Sequence, residues 1–260
     1  MKIKTAVAAR ILSMSAIFVV ALSVAFGAAA QNVRPGGESK DKGSAPATAP
    51  PAASQPAAPA AADKVMYVQF TTNKGSFVLE LNHEKAPVSV DNFLKYVDDK
   101  FYNDTIFHRI TKGGIFVIQG GGMDKSGSQK KTNPPIKNEW KNGLTNVRGS
   151  ISMARTSAPD SATSQFFINV QDDPALDQPN GGAAYAVFGK VYAGMKTIDA
   201  LYATPVQASR AMGGEVSQPV EPLIVEKAER ITAAKAKELL DAEKPAAAAP
   251  AATQPAKGGH

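Results

Sequence analysis

The chain has no cysteine and few other residues of the kind that bind metals. Its 260 residues include three histidines, His83, His108 and His260. Disulfides, thiol catalysis and cysteine-based metal sites are therefore excluded, and three scattered histidines do not have the spacing of a zinc site. Neither a Gly-x-Ser-x-Gly elbow nor a Gly-Lys-Ser/Thr phosphate loop occurs in the sequence. We expect neither a metal nor a cofactor.

Charge of one sign is not in large excess. The chain has 29 basic and 23 acidic residues, which gives a formal net charge of +6. Three of the positive charges, Lys2, Lys4 and Arg10, lie in the first thirty residues, which contain no acid. Without that segment the net charge falls to +3, and the remaining basic residues are interspersed with acids. This pattern argues against a nucleic-acid-binding protein.

The first thirty residues have the pattern of a secretory signal peptide. Its three basic residues precede a largely apolar run at 11–26, and Ala28–Ala30 supplies small residues before Gln31. We expect cleavage after Ala30 and a periplasmic or secreted protein whose mature domain is not inserted in a membrane. An uncleaved anchor is the alternative, because the apolar run approaches the length that spans a bilayer.

Two segments rich in proline and alanine flank a single candidate domain. We interpret residues 31–62 as a disordered linker and residues 232–260 as a C-terminal tail, because such segments bury little apolar area. Both segments are typical of solvated spacers, although residues 232–244 are compatible with a short polar helix. Residues 63–231 remain, enough for one domain of ordinary size.

Residues 63–231 have the pattern of an all-β domain. Eight short strands are predicted, at 67–72, 75–81, 106–110, 116–119, 150–154, 165–170, 186–191 and 223–228. One helix is predicted to begin at Pro87, whose missing N–H costs nothing there, and a second at 195–202. A sheet of this size removes its edges by closing on itself. We therefore expect a closed eight-stranded antiparallel barrel capped by two α-helices.

Arg109 lies in an otherwise apolar strand beside phenylalanine. Its own strand segment, 106–110, contains no acid that could pair with it. Because an arginine cannot discard its charge, in a strand interior it needs a partner or a ligand that uses its donors. Arg109 is therefore a candidate for a site that binds an apolar group and donates a hydrogen bond to it. An ion pair with an acid elsewhere in the chain is the alternative.

Five motifs in one order connect this segment with a known family. They are Phe107-His108-Arg109, Gln119-Gly120-Gly121, Gly149-Ser150-Ile151-Ser152-Met153-Ala154-Arg155, Ser164-Gln165-Phe166-Phe167-Ile168-Asn169 and Val187-Phe188-Gly189-Lys190-Val191. Residues 63–231 as a whole resemble the cyclophilin-type peptidyl-prolyl cis-trans isomerases, and among these the secreted bacterial members most closely. The resemblance implies a closed eight-stranded barrel with two capping helices. It also implies an enzyme that isomerises Xaa-Pro bonds in polypeptides outside the cytoplasm and assists their folding.

The resemblance also implies roles for individual residues. Arg109 matches the catalytic arginine, and Gln119 matches the glutamine that orients it and contacts the peptide backbone. The matching substrate-binding residues are Phe116, Val117, Ala154, Arg155, Gln165, Phe167, Leu176 and Tyr185. Other interpretations stay open for four of them: Gln119 as a turn-capping amide, Gln165 as a solvated amide, and Phe116 and Phe167 as core residues. His108 is interpreted as a packed strand residue and not as a general base.

The chemistry of such a site can be derived from the peptide bond. Rotation about an amide C–N bond is opposed by a barrier of ~18–20 kcal/mol, because the bond has partial double-bond character. In the twisted transition state the prolyl nitrogen gains a lone pair, so a fixed donor aimed at it binds that state better than either ground state. Arginine keeps its charge and carries several donors in a rigid fork. No proton transfer, nucleophile, metal or cofactor is needed.

Three departures from the family pattern affect these assignments. The segment between Arg109 and Gln119 is two residues longer than usual, which leaves the choice between Ile115 and Phe116 as pocket residue open. Val117 stands where a methionine is common. Ala175 stands where many eukaryotic members have the tryptophan that binds cyclosporin, so we expect weak inhibition by cyclosporin. Submicromolar inhibition in a peptide assay would refute that expectation.

A function of another class is consistent with the same groove. A non-catalytic binding module or chaperone could hold proline-bearing segments without turning them over, and the longer segment would support this if it moved Arg109 off the prolyl nitrogen. A proline peptide that binds without faster exchange would identify such a module. In both cases the expected partners are unfolded or flexible polypeptides that contain proline. We expect a monomer, since the sequence has neither heptads nor large apolar stripes.

Overall fold

The computed structural model describes residues 64–243. The predicted signal peptide, the linker at 31–62 and the tail from residue 244 onward lie outside the described residues. No helix among residues 64–243 is long and apolar enough to cross a membrane.

Eight strands form a closed antiparallel barrel, as predicted. They are β1 (Val65–Thr72), β2 (Gly75–Asn82), β3 (Thr105–Ile110), β4 (Val117–Asp124), β5 (Ser150–Met153), β6 (Phe166–Asn169), β7 (Val187–Ala193) and β10 (Leu223–Ile231). Around the barrel their order is β1-β10-β3-β4-β6-β5-β7-β2. Every predicted strand segment overlaps one of these strands.

Helix α1 (Pro87–Asp98) packs its apolar face against the barrel interior. It begins at Pro87, as predicted, and buries Val90, Phe93, Leu94 and Val97. The Phe93 ring lies 5.5 Å from that of Phe166 in an edge-to-face arrangement. Truncating such a buried ring to alanine typically costs ~3–5 kcal/mol of stability, so α1 is an integral part of the core. The second predicted helix is α2 (Met195–Ala203).

One further element is not predicted, and a second lies in the segment that is compatible with a short polar helix. A two-stranded hairpin joins β8 (Val206–Ser209) to β9 (Glu215–Pro219), and a third helix, α3 (Ala233–Glu243), follows the barrel. In α3, Ala236 is fully buried against Val78 and Ala193. The interpretation of the tail as a solvated spacer is therefore wrong for residues 233–243, where the compatible helix does form and packs on the barrel.

A β-bulge in β3 decides which side chains leave the barrel interior. Phe107 pairs with Gly120 of β4, whereas Arg109, two residues later, pairs with Gln119. Gly120 and Gln119 are consecutive and so face opposite sides of the sheet. Phe107 consequently packs in the core, while Arg109 faces outward. One extra residue at His108 thus turns Arg109 away from the interior.

Candidate active site

Three strands bring a row of functional side chains together on the outer face of the barrel. Arg109 of β3 pairs with Gln119 of β4, and Gln119 pairs with Phe167 of β6. Residues directly opposite one another in adjacent strands lie on the same face of a sheet. The cationic donor, the amide and the aromatic ring predicted from the sequence are therefore side by side.

A chain of hydrogen bonds links the polar members of this row. Arg109 Nη1 donates to Gln119 Oε1 at 3.2 Å, and Gln119 Nε2 donates to Gln165 Oε1 at 2.9 Å. Gly122 leaves room for the last amide, because a Cβ there would lie 2.5 Å from the Gln165 side chain. The two glutamines therefore hold each other and Arg109 in one arrangement.

Arg109 also forms an ion pair with a distant acid, the pairing that the sequence analysis kept as the alternative, and the acid is Glu215. Its Nε donates to Glu215 Oε2 at 3.1 Å and its Nη2 to Glu215 Oε1 at 2.9 Å. Glu215 lies 106 residues further along the chain, at the start of β9. A guanidinium has five N–H donors, so these bonds and the one to Gln119 leave a single free N–H on each terminal nitrogen. Arg109 is paired and still able to donate.

An apolar cluster adjoins this polar row. Val117, Phe167 and Leu176 are buried together, and three partly buried side chains pack against them: Ile115, Ala154 and Tyr185. The rings of Phe167 and Tyr185 lie edge to face with centroids 5.4 Å apart. The cluster provides an apolar, aromatic surface next to Gln119, the strand partner of Arg109.

The structure places Ile115, not Phe116, with this cluster. Phe116 packs against the barrel core, and its backbone N–H donates to Asp173 Oδ2 at 2.9 Å. Ile115, Val117 and Gln119 follow one another at intervals of two, the spacing of residues on one face of a strand. The pocket position expected for Phe116 is therefore taken by Ile115, which alternation with Val117 and Gln119 could have indicated. Burial raises the pKa of Asp173.

Arg155 is held by the protein itself. Its guanidinium donates to the carbonyl oxygens of Thr156 at 2.8 Å, Asn180 at 2.6 Å and Ala183. It also lies over the Tyr185 ring, 4.7 Å from the centroid. Arg155, predicted as a substrate-binding residue, thus stabilises the loop that carries Tyr185. The backbone N–H of the preceding residue, Ala154, donates to the Gln165 carbonyl at 2.9 Å and is likewise engaged.

The two additional residues between Arg109 and Gln119 form a loop outside the site. Lys112 Nζ donates to the Thr204 carbonyl at 3.0 Å and lies 5.3 Å from the centre of the Tyr202 ring. The Tyr202 hydroxyl in turn donates to the Thr111 carbonyl at 3.1 Å. Because these bonds anchor the loop near the end of α2, Arg109 and Gln119 remain paired. The longer segment does not move Arg109 out of register.

His108 is unsuited to acid–base work. Its side chain is buried, and this burial, followed by the neighbouring Arg109 charge, lowers the pKa of His108 to about 4. The ring is therefore neutral at physiological pH and packed in the protein. Among residues 64–243 no three His, Asp or Glu side chains are grouped so that they could hold a metal ion.

The sequence predicts neither Glu215 as the partner of Arg109 nor the choice of Ile115 over Phe116, which it leaves open. Glu215 follows the pair Gly213-Gly214 and precedes Val216-Ser217-Gln218, a weak signal for a turn and a returning strand. No local pattern connects that strand with Arg109, because the contact depends on how the hairpin folds over β3.

Comparison with known proteins gives one consistent result. A family model described as cyclophilin type peptidyl-prolyl cis-trans isomerase matches residues 67–230. Peptidyl-prolyl cis-trans isomerase A of Dickeya dadantii is 50% identical over 171 residues, which is 66% of this chain and 87% of that protein. Peptidyl-prolyl cis-trans isomerase B of Escherichia coli is 46% identical over 162 residues, 61% of this chain and 96% of that protein.

Solved structures agree with the sequence comparison. A crystal structure of a cyclophilin type peptidyl-prolyl cis-trans isomerase from Cryptosporidium parvum, in the presence of the dipeptide Ala-Pro, is 30% identical to this chain with a TM-score of 0.53. The match covers 64% of this chain and 99% of that one. The barrel is therefore that of a family with solved members.

Proposed function

The chain belongs to the cyclophilin-type peptidyl-prolyl cis-trans isomerases and catalyses rotation about Xaa-Pro bonds, and we propose that Arg109 is the donor that stabilises the transition state. The observation that carries this proposal is the placement of Arg109. Its guanidinium is held by Glu215 and Gln119 and keeps one free N–H on each terminal nitrogen. It lies beside a buried apolar cluster.

The proposed mechanism follows from this placement. The proline ring binds on the apolar cluster of Phe167, Val117 and Leu176, which excludes water from the prolyl nitrogen. As the bond twists, the nitrogen becomes a better acceptor, and a free N–H of Arg109 donates to it. Because that donor is already oriented, little reorganisation accompanies the reaction.

Gln119 and Gln165 orient both Arg109 and the substrate. Gln119 uses its carbonyl oxygen on Arg109 and one amide hydrogen on Gln165. Each of these amides therefore keeps a hydrogen available for a peptide carbonyl. We assign them to holding the substrate backbone on either side of the twisting bond.

The proposed substrates are proline-containing segments of unfolded or flexible polypeptides. The related Cryptosporidium enzyme, whose structure was solved in the presence of Ala-Pro, supports this choice. We also propose that the protein acts outside the cytoplasm as a monomer, on the basis of the signal-peptide pattern and the lack of heptads. N-terminal sequencing of the native protein from cell fractions tests its location, and a cytoplasmic protein that retains residue 1 would contradict the proposal. A sedimentation mass tests the oligomeric state, and a dimer would contradict the proposed monomer.

Substitution of Arg109 tests the assigned role. We expect Arg109→Ala to lower kcat/KM at least ~100-fold, equivalent to ~2.7 kcal/mol of transition-state stabilisation. Arg109→Lys should recover little, because a lysine lacks the planar fork. Arg230→Ala is the matched control, since Arg230 pairs with Asp98 on the surface. Equal activity of Arg109→Ala and Arg230→Ala would refute the role of Arg109.

A further inference from the structure

We propose that Glu215 is a positioning residue for catalysis, which holds the Arg109 guanidinium so that its free N–H groups point to the prolyl nitrogen. This inference rests on the proposed role of Arg109. It assigns a task to the hairpin of β8 and β9, which contributes no side chain to the apolar cluster.

The geometry of the ion pair is that of a two-point clamp. Both Glu215 oxygens accept, one from Nε and one from Nη2 of Arg109, at 3.1 and 2.9 Å. This fork-to-fork arrangement fixes the plane of a guanidinium as well as its position. Gln119 holds the remaining edge at 3.2 Å. Without Glu215 a single, longer hydrogen bond would have to orient a flexible side chain.

The local environment favours a persistent pair. The side chains of Arg109 and Glu215 are 21% and 36% exposed, so water competes only partly for their hydrogen bonds. Glu215 begins β9 opposite Ser209, directly after Gly213 and Gly214, whose positive φ angles of 64° and 91° make the turn. Gly214 N–H donates to the Ser209 carbonyl at 2.8 Å. The turn therefore presents the Glu215 carboxylate at a defined place.

The hairpin lies against β3, and Ser217 and Pro219 of β9 are buried. An open pocket of about 230 Å³ is lined on the β3 side by Ile106 and His108 and on the hairpin side by Met212 and Pro219. The ion pair between Arg109 and Glu215 joins the hairpin to the strand that carries Arg109. The guanidinium and the hairpin thus orient each other.

The Glu215 carboxylate has two opposing effects on the reaction rate. The larger effect decides whether its removal slows or accelerates the reaction. Its negative charge weakens Arg109 as a donor, whereas its clamp keeps the donor aligned. Hydrogen bonds weaken steeply when their angle falls below ~120°, and an arginine side chain freed from its partner has many rotamers in which its donors are misaligned. We therefore expect positioning to outweigh the loss of donor strength.

The expected result is a selective fall in kcat. We expect Glu215→Ala to lower kcat by ~10-fold, which corresponds to ~1.4 kcal/mol. KM should change less than ~2-fold, because the proline ring binds on side chains that Glu215 does not contact. Glu215→Gln retains one acceptor oxygen and should recover part of the activity. Glu221→Gln is the matched control, since Glu221 forms an exposed pair with Lys74 at 2.8 Å.

A spectroscopic measurement separates positioning from a general loss of structure. The Nε–H of Arg109 should give a slowly exchanging NMR signal in wild type, identified by its absence in Arg109→Lys. That signal should broaden or vanish in Glu215→Ala and persist in Glu221→Gln, while the far-UV circular dichroism of all variants stays the same. An unchanged Nε–H signal in Glu215→Ala would overturn the proposal.

A double substitution separates this proposal from the role of Arg109. If Glu215 acts through Arg109, then Arg109→Ala with Glu215→Ala should be no slower than Arg109→Ala alone. A kcat that is unchanged or higher in Glu215→Ala, with Arg109→Ala still inactive, would refute the positioning role only. Full activity of Arg109→Ala would refute the proposed function itself.

Discussion

Phe107 and Arg109, two residues apart on β3, face opposite sides of the barrel wall. In a regular strand they would share a face, but the bulge pairs Phe107 with Gly120 and Arg109 with Gln119. One chain segment therefore supplies an aromatic ring to the core and a guanidinium to the outer groove. The register of β3 against β4 thus sets both stability and catalysis.

Adding a single methyl group at Gly120 should disturb the structure. A Cβ at Gly120 would lie 2.8 Å from a carbon of the Phe107 ring and 3.1 Å from the Ile106 carbonyl oxygen. We expect Gly120→Ala to lower the free energy of unfolding by ~1–3 kcal/mol, as for other overpacked sites, and to reduce activity by shifting β3. Thermal unfolding and peptide exchange measure the two effects. In Gly113→Ala, where nothing lies within 4 Å of the added Cβ, both should stay at wild-type values.

Arg155 should affect substrate affinity more than turnover. It fixes the loop at 180–185 through carbonyl oxygens and supports the Tyr185 ring at the edge of the pocket. We expect Arg155→Ala to raise KM by ~5-fold, as the apolar cluster loses one ordered wall, with kcat changed less than ~2-fold. Arg155→Lys should not restore KM, because one ammonium cannot replace the planar fork. A fall in kcat at constant KM would instead place Arg155 in the chemical step.

His108 should make the protein less stable in mild acid. Its pKa is lowered to about 4 in the folded state, from an ordinary value of 6.5. Below pH ~6.5 the unfolded chain binds a proton at this ring that the folded protein does not, so stability falls as the pH drops, until the folded pKa is reached. The total effect is ~3 kcal/mol. Urea unfolding at pH 7, 5.5 and 4 should show this loss in wild type and much less of it in His108→Gln.

The surface histidine provides the control for that measurement. His83 is partly exposed and pairs with Asp91 at 3.0 Å. His83→Gln should retain the wild-type fall in stability between pH 6.5 and 4. If His108→Gln lost stability as steeply as wild type, the acid sensitivity would have another origin.

Local patterns predicted most of the fold. Strand alternation and the apolar face after Pro87 located the barrel and α1, because both depend on residues close together in the sequence. For α3 the sequence indicates a possible polar helix but not its packing, because its alanine content resembles that of the linker. The signal within it was the spacing of Ala236, Leu239 and Leu240, which places three apolar residues on one helix face.

The sequence predicted the site residues that lie within strands, but not the residues that loops and the hairpin bring to the site. Arg109, Gln119 and Phe167 could be placed because each lies in a predicted strand and matches a position of the family motifs. Ile115 was left undecided because the adjacent glycines allow more than one register. Glu215 could not be found, since its partner lies 106 residues away and the contact depends on tertiary structure.

Exchange NMR on the full chain with an Ala-Pro peptide tests the central claim most directly, because it records binding and cis/trans exchange together. We predict that catalytic amounts of wild type accelerate exchange in proportion to protein concentration. Arg109→Ala should still shift the peptide resonances in a titration but leave the exchange rate near that of the free peptide. A folded wild-type protein that binds the peptide without accelerating its exchange would contradict the account and identify a binding module.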